Sequence, residues 1–170
     1  APKYAFAKTL SATHIGFCEH FRPRLFLLEN VQNFCNMDGG KVLRLCITKL
    51  LRMRYQVTFS VLQSGRYGAP QSRRRTILVA VPYDSALPTF PEPTHTFAAV
   101  NRASTVKPAP DVSLSFDCDG GSGLYRRVTV RDAVGDLATM DGTYSSAPTC
   151  DYQRRMRADV LTAHENFVTS

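Results

Sequence analysis

No stretch of this 170-residue chain approaches the roughly 20 consecutive apolar residues that a bilayer-spanning helix needs, so no membrane span is expected. No C-x-x-C pair is present either. The five cysteines, Cys18, Cys35, Cys46, Cys118 and Cys150, are scattered, and His14, His20, His95 and His164 complete no zinc spacing with them. That excludes a zinc-ribbon reading, leaves no metal site to expect, and favours reduced thiols over a disulfide framework. Acidic residues are scarce in the first half. Residues 1–85 hold 13 Lys/Arg against 4 Asp/Glu, whereas residues 86–170 hold 8 against 10. A basic half suits a polyanionic partner such as nucleic acid, although solubilising charge would look the same. With 44% hydrophobic and 21% charged residues, the chain has the composition of a folded globular domain.

The apolar residues fall into periods. Phe6, Leu10, Thr13, Phe17 and Phe21 recur at three and four, predicting an amphipathic helix from about Tyr4 to Phe21, ended by Pro23. Cys18 lies inside its stripe. Leu25 to Leu28 has the length and character of a buried parallel strand. A second helix is expected over about Gly40 to Arg54, burying Val42, Leu45, Cys46, Leu50 and Met53 and carrying Lys41, Arg44, Lys49, Arg52 and Arg54 outside. Tyr55 to Gln63 alternates as a strand with Val57, Phe59 and Val61 on one face. Thr76 to Val81 is another strand, closed by Pro82. Helix, strand, helix, strand, strand is the order of the second half of a doubly wound α/β sheet whose last two strands pair antiparallel.

Beyond Pro82 periodicity fades. Pro88, Pro91, Pro93, Pro108 and Pro110 mark residues 83–123 as mainly extended loop with room for short strands, and Asp117 to Gly123 as a turn. Val128 to Val130 reads as a short strand, residues 131–137 as a short helix with Asp132 in its first turn, residues 141–150 as loop, and Tyr152 to Ala163 as a final helix.

Two polar features stand out against this frame. Glu29 and Asn30 follow the apolar run directly, at the strand end where open α/β sheets place their chemistry; a solvated glutamate is the bland alternative. Gln71-x-Arg73-x-Arg75 leads into a neighbouring strand. In an extended segment its three residues face one side. A carboxylate beside two planar guanidiniums and an amide suits the polar edge of a planar base such as cytosine. Phosphate binding or mere solvation remains open for the triple-arginine run.

These stretches resemble motifs of the DNA (cytosine-5)-methyltransferase family. Glu29-Asn30-Val31 is similar to its Glu-Asn-Val motif, and Tyr67-Gly68-x-x-Gln71-x-Arg73-x-Arg75 to its Tyr-Gly-x-x-Gln-x-Arg-x-Arg motif. Arg22-Pro23-Arg24, Tyr55-Gln56-x-Thr58-Phe59, Leu87-Pro88-x-Phe90-Pro91-Glu92-Pro93, Val128-Thr129-Val130-Arg131-Asp132 and Tyr152-Gln153-Arg154 are most like maintenance-type members, with a chromomethylase type as the near variant. The resemblance implies the C-terminal half of a Rossmann-like S-adenosylmethionine-dependent methyltransferase sheet. Residues 1–82 would form part of the catalytic core. Residues 83–170 would be a loop-rich extension leading into the target-recognition region.

It further implies double-stranded DNA as substrate, S-adenosylmethionine as cofactor, a nuclear location, and a cytosine flipped from the duplex. Glu29 would donate to N3 and accept from the exocyclic amine, and Arg75 would bind O2. Arg73 would brace the catalytic loop and a phosphate, and Asn30 and Gln71 would hold the architecture. The family's nucleophile lies in a Pro-Cys dipeptide, which this sequence lacks, and its glycine-rich cofactor loop is also lacking. Cys18, inside an apolar stripe, does not replace that nucleophile. The expectation is a partial catalytic domain that needs the remainder of the domain for cofactor and chemistry. The alternative is a non-catalytic nucleic-acid-binding remnant of the same fold.

Overall fold

The computed structural model describes residues 5–97, 104–109, 112–116, 123–137 and 147–158. They divide into two compact units. The first comprises residues 1–63, 74–92 and 98–120, the second residues 64–73, 93–97 and 121–170.

The first unit is a small α/β assembly. Helix α1 (Ala5–Phe21) leads to β1 (Phe26–Val31), and helix α2 (Lys41–Arg52) to β2 (Tyr55–Gln63). Strand β3 (Arg74–Pro82) lies between β1 and β2 and is antiparallel to both. β1 and β2 therefore run in the same direction without touching, joined through α2. The expected parallel character of the Leu25–Leu28 run is thus corrected: its only ladder among the described residues is antiparallel. Nor is the strand buried throughout. Phe26 and Leu28 enter the core, while Leu25 and Leu27 are exposed, because α1 and α2 cover one face of the sheet only. β3, flanked on both sides, buries Leu78, Val79, Ala80 and Val81 in succession.

Each helix packs through a face slightly rotated from the expected one. In α1 the core side is Ser11, Ile15 and Cys18, while Leu10, Phe17 and Phe21 are exposed. In α2, Leu43 is buried with Cys46 and Leu50, and Leu45 is exposed. Both shifts have one origin: several apolar residues flank each stripe, and a 3.6-residue period alone does not choose among them. Tertiary contacts make the choice. Cys18, Leu28, Leu43, Leu50 and Leu78 converge in one cluster.

The connections are fixed by backbone geometry. Arg22 ends α1 at φ 49°, a left-handed conformation that costs a non-glycine residue about 1–2 kcal/mol. Its amide donates to Cys18 O at 3.0 Å and its Nη1 to Met53 O at 2.7 Å, which ties the end of α1 to the end of α2. Tyr55 adds a hydroxyl bond to Pro23 O at 2.7 Å. Entry into α2 takes three successive left-handed residues, Asp38, Gly39 and Gly40, of which glycine supplies the two nearest the helix. Two further strands, β4 (Ser104–Ala109) and β5 (Val112–Phe116), form an antiparallel hairpin in a region expected to be mainly loop. Pro108 falls where the register shifts between Val106 and Ala109, a place where a ladder tolerates proline.

In the second unit a 3-10 turn (Ser64–Tyr67) is held by one carbonyl: Arg66 O accepts from Thr94 N at 3.0 Å and His95 N at 2.9 Å. Thr96 N and Tyr125 N bond Tyr125 O and Thr94 O in return, at 2.7 and 3.0 Å. A side chain at Gly123 would meet the His95 backbone at 2.3 Å, so only glycine permits this approach. Helix α3 (Val130–Val134) begins at Thr129, which caps it rather than continuing a strand through Val128–Val130 as expected. Residues 151–158 are helical. Arg157 of that segment binds the buried carboxylate of Asp136. The expected turn over residues 117–122, most of the loop at 141–150, and residues 159–163 of the final helix lie outside the described residues.

Candidate functional site

The site is built on the ends of β1 and β3. Glu29 opposes Ile77 and Val31 opposes Arg75 in the ladder. Directly opposed residues project from the same face, so Glu29 and Arg75 are diagonal neighbours on one side of the sheet. Phe26 and Leu28 point the other way, into the core. The alternation that buries the leucine thereby exposes the glutamate.

Arg75 Nε lies 2.7 Å from Glu29 Oε1, with the side chains 26% and 49% exposed. Arg75 Nη1 donates to the carbonyl of Arg74 at 2.8 Å. The guanidinium is thus held on two edges. Among the described residues no partner is recorded for its Nη2 or for Glu29 Oε2. At this exposure an ion pair contributes about 0.2–1 kcal/mol. It orients the two groups without locking them, and a ligand offering equivalent hydrogen bonds can displace it. Asn30 Oδ1 accepts from Val31 N at 2.9 Å, so this amide supports the backbone of the strand end.

Gln71 and Arg73 are placed differently from expectation. β3 begins at Arg74, so strand alternation reaches Arg75 but neither of its predecessors. Gln71 N bonds Ala69 O at 2.8 Å in a tight turn, and Gln71 O and Arg73 O accept from Ser64 Oγ and Ser64 N at 3.2 and 2.9 Å. Both residues belong to the second unit and are exposed there. The turn after Pro70 overrides the extended reading at Gln71, whereas Arg73, one residue short of the strand, still pairs through its carbonyl with Ser64 N.

A supporting residue escaped the sequence reading. Thr76 is 1% exposed, and its hydroxyl lies 3.3 Å from Val31 O, 3.4 Å from Gln32 O and 3.2 Å from Cys35 Sγ. The available signal was a lone hydroxyl opening the apolar run Ile77-Leu78-Val79-Ala80-Val81, because a buried hydroxyl demands partners.

The three buried cysteines supply no activated thiol for the pair. Cys18, Cys35 and Cys46 are buried, and burial pushes all three thiols up, Cys46 to about 11. A nucleophilic cysteine needs the opposite shift. No group of three or more metal-binding side chains occurs among the described residues, and no helix there is long and apolar enough to cross a membrane.

Comparison with known proteins places this chain in a family. Residues 6–167 match the family model described as C-5 cytosine-specific DNA methylase. The DNA (cytosine-5)-methyltransferase PliMCI of Paracentrotus lividus is 37% identical over 161 residues, covering 91% of this chain and 10% of the relative. DNA (cytosine-5)-methyltransferase 1A of Oryza sativa subsp. japonica is 36% identical over 160 residues, 90% of this chain and 10% of that protein. DNA (cytosine-5)-methyltransferase 1 of Mus musculus is 38% identical over 159 residues, 89% of this chain and again 10% of the relative. The chain thus spans about a tenth of the length of these relatives. With a family model covering nearly all of it, the chain belongs to the C-5 cytosine-specific DNA methylase family.

Proposed function

We propose that this chain is part of the catalytic domain of a DNA (cytosine-5)-methyltransferase, and that it supplies the groups that bind and polarise a flipped cytosine. The Glu29–Arg75 pair at the strand ends carries the reading. A carboxyl group can donate to the ring nitrogen N3 and accept from the exocyclic amine, while a guanidinium donates to the carbonyl oxygen O2. Arg75 has its Nη2 to offer, and Glu29, on taking up a proton from solvent as the base binds, exchanges one weak ion pair for hydrogen bonds to the base. Drawing electron density toward N3 and O2 makes C6 more electrophilic, so a thiolate from elsewhere in the intact protein can add there. Arg73 would contact a backbone phosphate, and Gln71 and Asn30 would support the loop and the strand end.

The described residues do not fit S-adenosylmethionine. Among the described residues of the first unit no glycine-rich loop links a strand directly to a helix, and Gly39-Gly40 enters α2 from a 3-10 turn. The methyl donor would be held by other parts of the protein, and this chain's contribution is to the base. In this reading the sheet is the C-terminal half of a Rossmann-like methyltransferase sheet, residues 1–82 belong to the core, and residues 83–170 lead toward target recognition. The substrate would be double-stranded DNA in the nucleus.

In the intact protein, Glu29→Gln should leave DNA binding in place and lower methyl transfer by about 10²-fold or more. Unchanged turnover would remove the role given to Glu29. The 170-residue chain alone should show no methyl transfer, and activity from it would overturn the division of labour between this chain and the rest of the protein.

A further inference from the structure

The geometry points to Thr76 as a positioning residue for Glu29, acting through the turn that follows β1, with Cys35 as a second anchor. The inference rests on the role proposed for Glu29 and extends it to residues that never meet the base.

β1 pairs with β3 alone among the described residues, and the ladder ends at Val31↔Arg75. Beyond that pair the chain enters a 3-10 turn (Gln32–Asn36). The direction of Glu29 is therefore set by one ladder on one side and by whatever fixes this turn. Thr76 does so. Its side chain points to the face opposite Arg75, because neighbours on a strand alternate. There its single hydroxyl proton is shared between Val31 O and Gln32 O at 3.3 and 3.4 Å, two and three residues after Glu29. Carbonyls only accept, so the proton goes to them and the Cys35 thiol donates to Thr76 Oγ1 at 3.2 Å. Burial, which raises the Cys35 pKa, keeps that thiol protonated for the task. Cys35 and Phe34 are fully buried, which fixes the turn from its far side.

Thr76 also follows Arg75 directly in the chain. One node therefore references both halves of the pair: the backbone of β3 carries Arg75, and the Thr76 hydroxyl holds the segment that carries Glu29. The consequence is mechanical. When a base takes hydrogen bonds from the ion pair, Glu29 loses the partner that oriented it. The anchored turn keeps the carboxyl where N3 will be.

The test uses the intact protein. Thr76→Val keeps the shape and removes the hydroxyl. Its kcat should fall about tenfold to a hundredfold, the scale of a small misplacement of a reacting group. Its KM for DNA should stay within about twofold, because binding is not lost. Thr76→Ser should restore most of the rate. In a Glu29→Gln background, Thr76→Val should cost little more, since a residue acting through Glu29 cannot act twice. Cys35→Ala, which leaves the Thr76 hydroxyl in place, should show a smaller loss with the same non-additivity, and serves if Thr76→Val does not fold. Parental turnover in Thr76→Val, effects that multiply with Glu29→Gln, or a Thr76→Ser as impaired as Thr76→Val would each overturn the inference while leaving the role of Glu29 standing. Full activity in Glu29→Gln alone would remove that role first.

Discussion

Two arginine–carboxylate pairs in this molecule have opposite designs. Glu29 meets Arg75 through one contact of 2.7 Å, with half of its side chain exposed. Asp132, in the second unit, is gripped from every side. Arg126 reaches both its oxygens at 2.8 and 3.0 Å, and Thr129 adds its backbone N–H at 2.7 Å and its hydroxyl at 2.8 Å. The Arg126 hydrogen bonds, followed by those from Thr129, hold the Asp132 carboxyl well below the usual carboxylate range. The same bonds cap α3, for Thr129 Oγ1 accepts from Asp132 N at 3.2 Å and completes a capping box. A carboxylate with both oxygens engaged by four hydrogen bonds is a structural part. One bound on a single edge is able to exchange partners. Composition does not separate the two pairs; the number of donors converging on each carboxylate does.

That contrast is tested by breaking each pair in turn. Arg75→Ala should lower methyl transfer by the intact protein by about 10²-fold, as loss of a donor at a developing charge does. It should shift folding stability by no more than about 1 kcal/mol. Single-turnover kinetics and chemical denaturation on the same preparation read both. Asp132→Asn should invert the pattern, with the chemical step retained once the protein is folded and stability lost. The pH dependence has a definite sign. Because the folded-state carboxyl is depressed, its contribution is present above the ordinary carboxylate range near pH 4 and fades as pH falls through the lowered value. The parent's stability, read by thermal unfolding, should therefore fall on acidification through that range, and that part of the slope should vanish in Asp132→Asn. Thr129→Ala, which removes the cap and leaves the charge pair, should cost about 1 kcal/mol. Lys49→Ala on the exposed face of α2 should do least, changing the salt dependence of DNA binding by at most about one unit of slope with turnover unaffected.

How much of this was legible in the sequence varied with the kind of signal. β2 runs over Tyr55–Gln63, as its alternation indicated. α2 lies within two residues of its expected ends, because the glycines before it and the left-handed Arg54 after it leave little freedom. Cys18 and Cys46 are core residues, as their place in apolar stripes implied. The proximity of Glu29 and Arg75 followed from a strand-end argument and the family motifs. What escaped was whatever depends on a partner distant in sequence. Leu43 displaces Leu45 from the core because of what faces α2, not because of the helix itself. The order β1-β3-β2 inserts the last strand between two earlier ones, so the antiparallel neighbour of β1 lies about fifty residues away. Gln71 looked extended by spacing, yet a turn held by Ser64 takes it off the strand, while Arg73 still pairs with Ser64 just before β3 begins. Thr76 read as an ordinary strand residue until its buried hydroxyl had to be accounted for.

The most direct test is a paired measurement on Glu29→Gln in the intact protein: DNA affinity and the rate of methyl transfer to cytosine under single-turnover conditions. The account predicts near-parental affinity with a rate lower by about 10²-fold or more, because the amide can no longer supply the proton that N3 requires. A parental rate would contradict it, and would make Glu29 a surface carboxylate that happens to face an arginine.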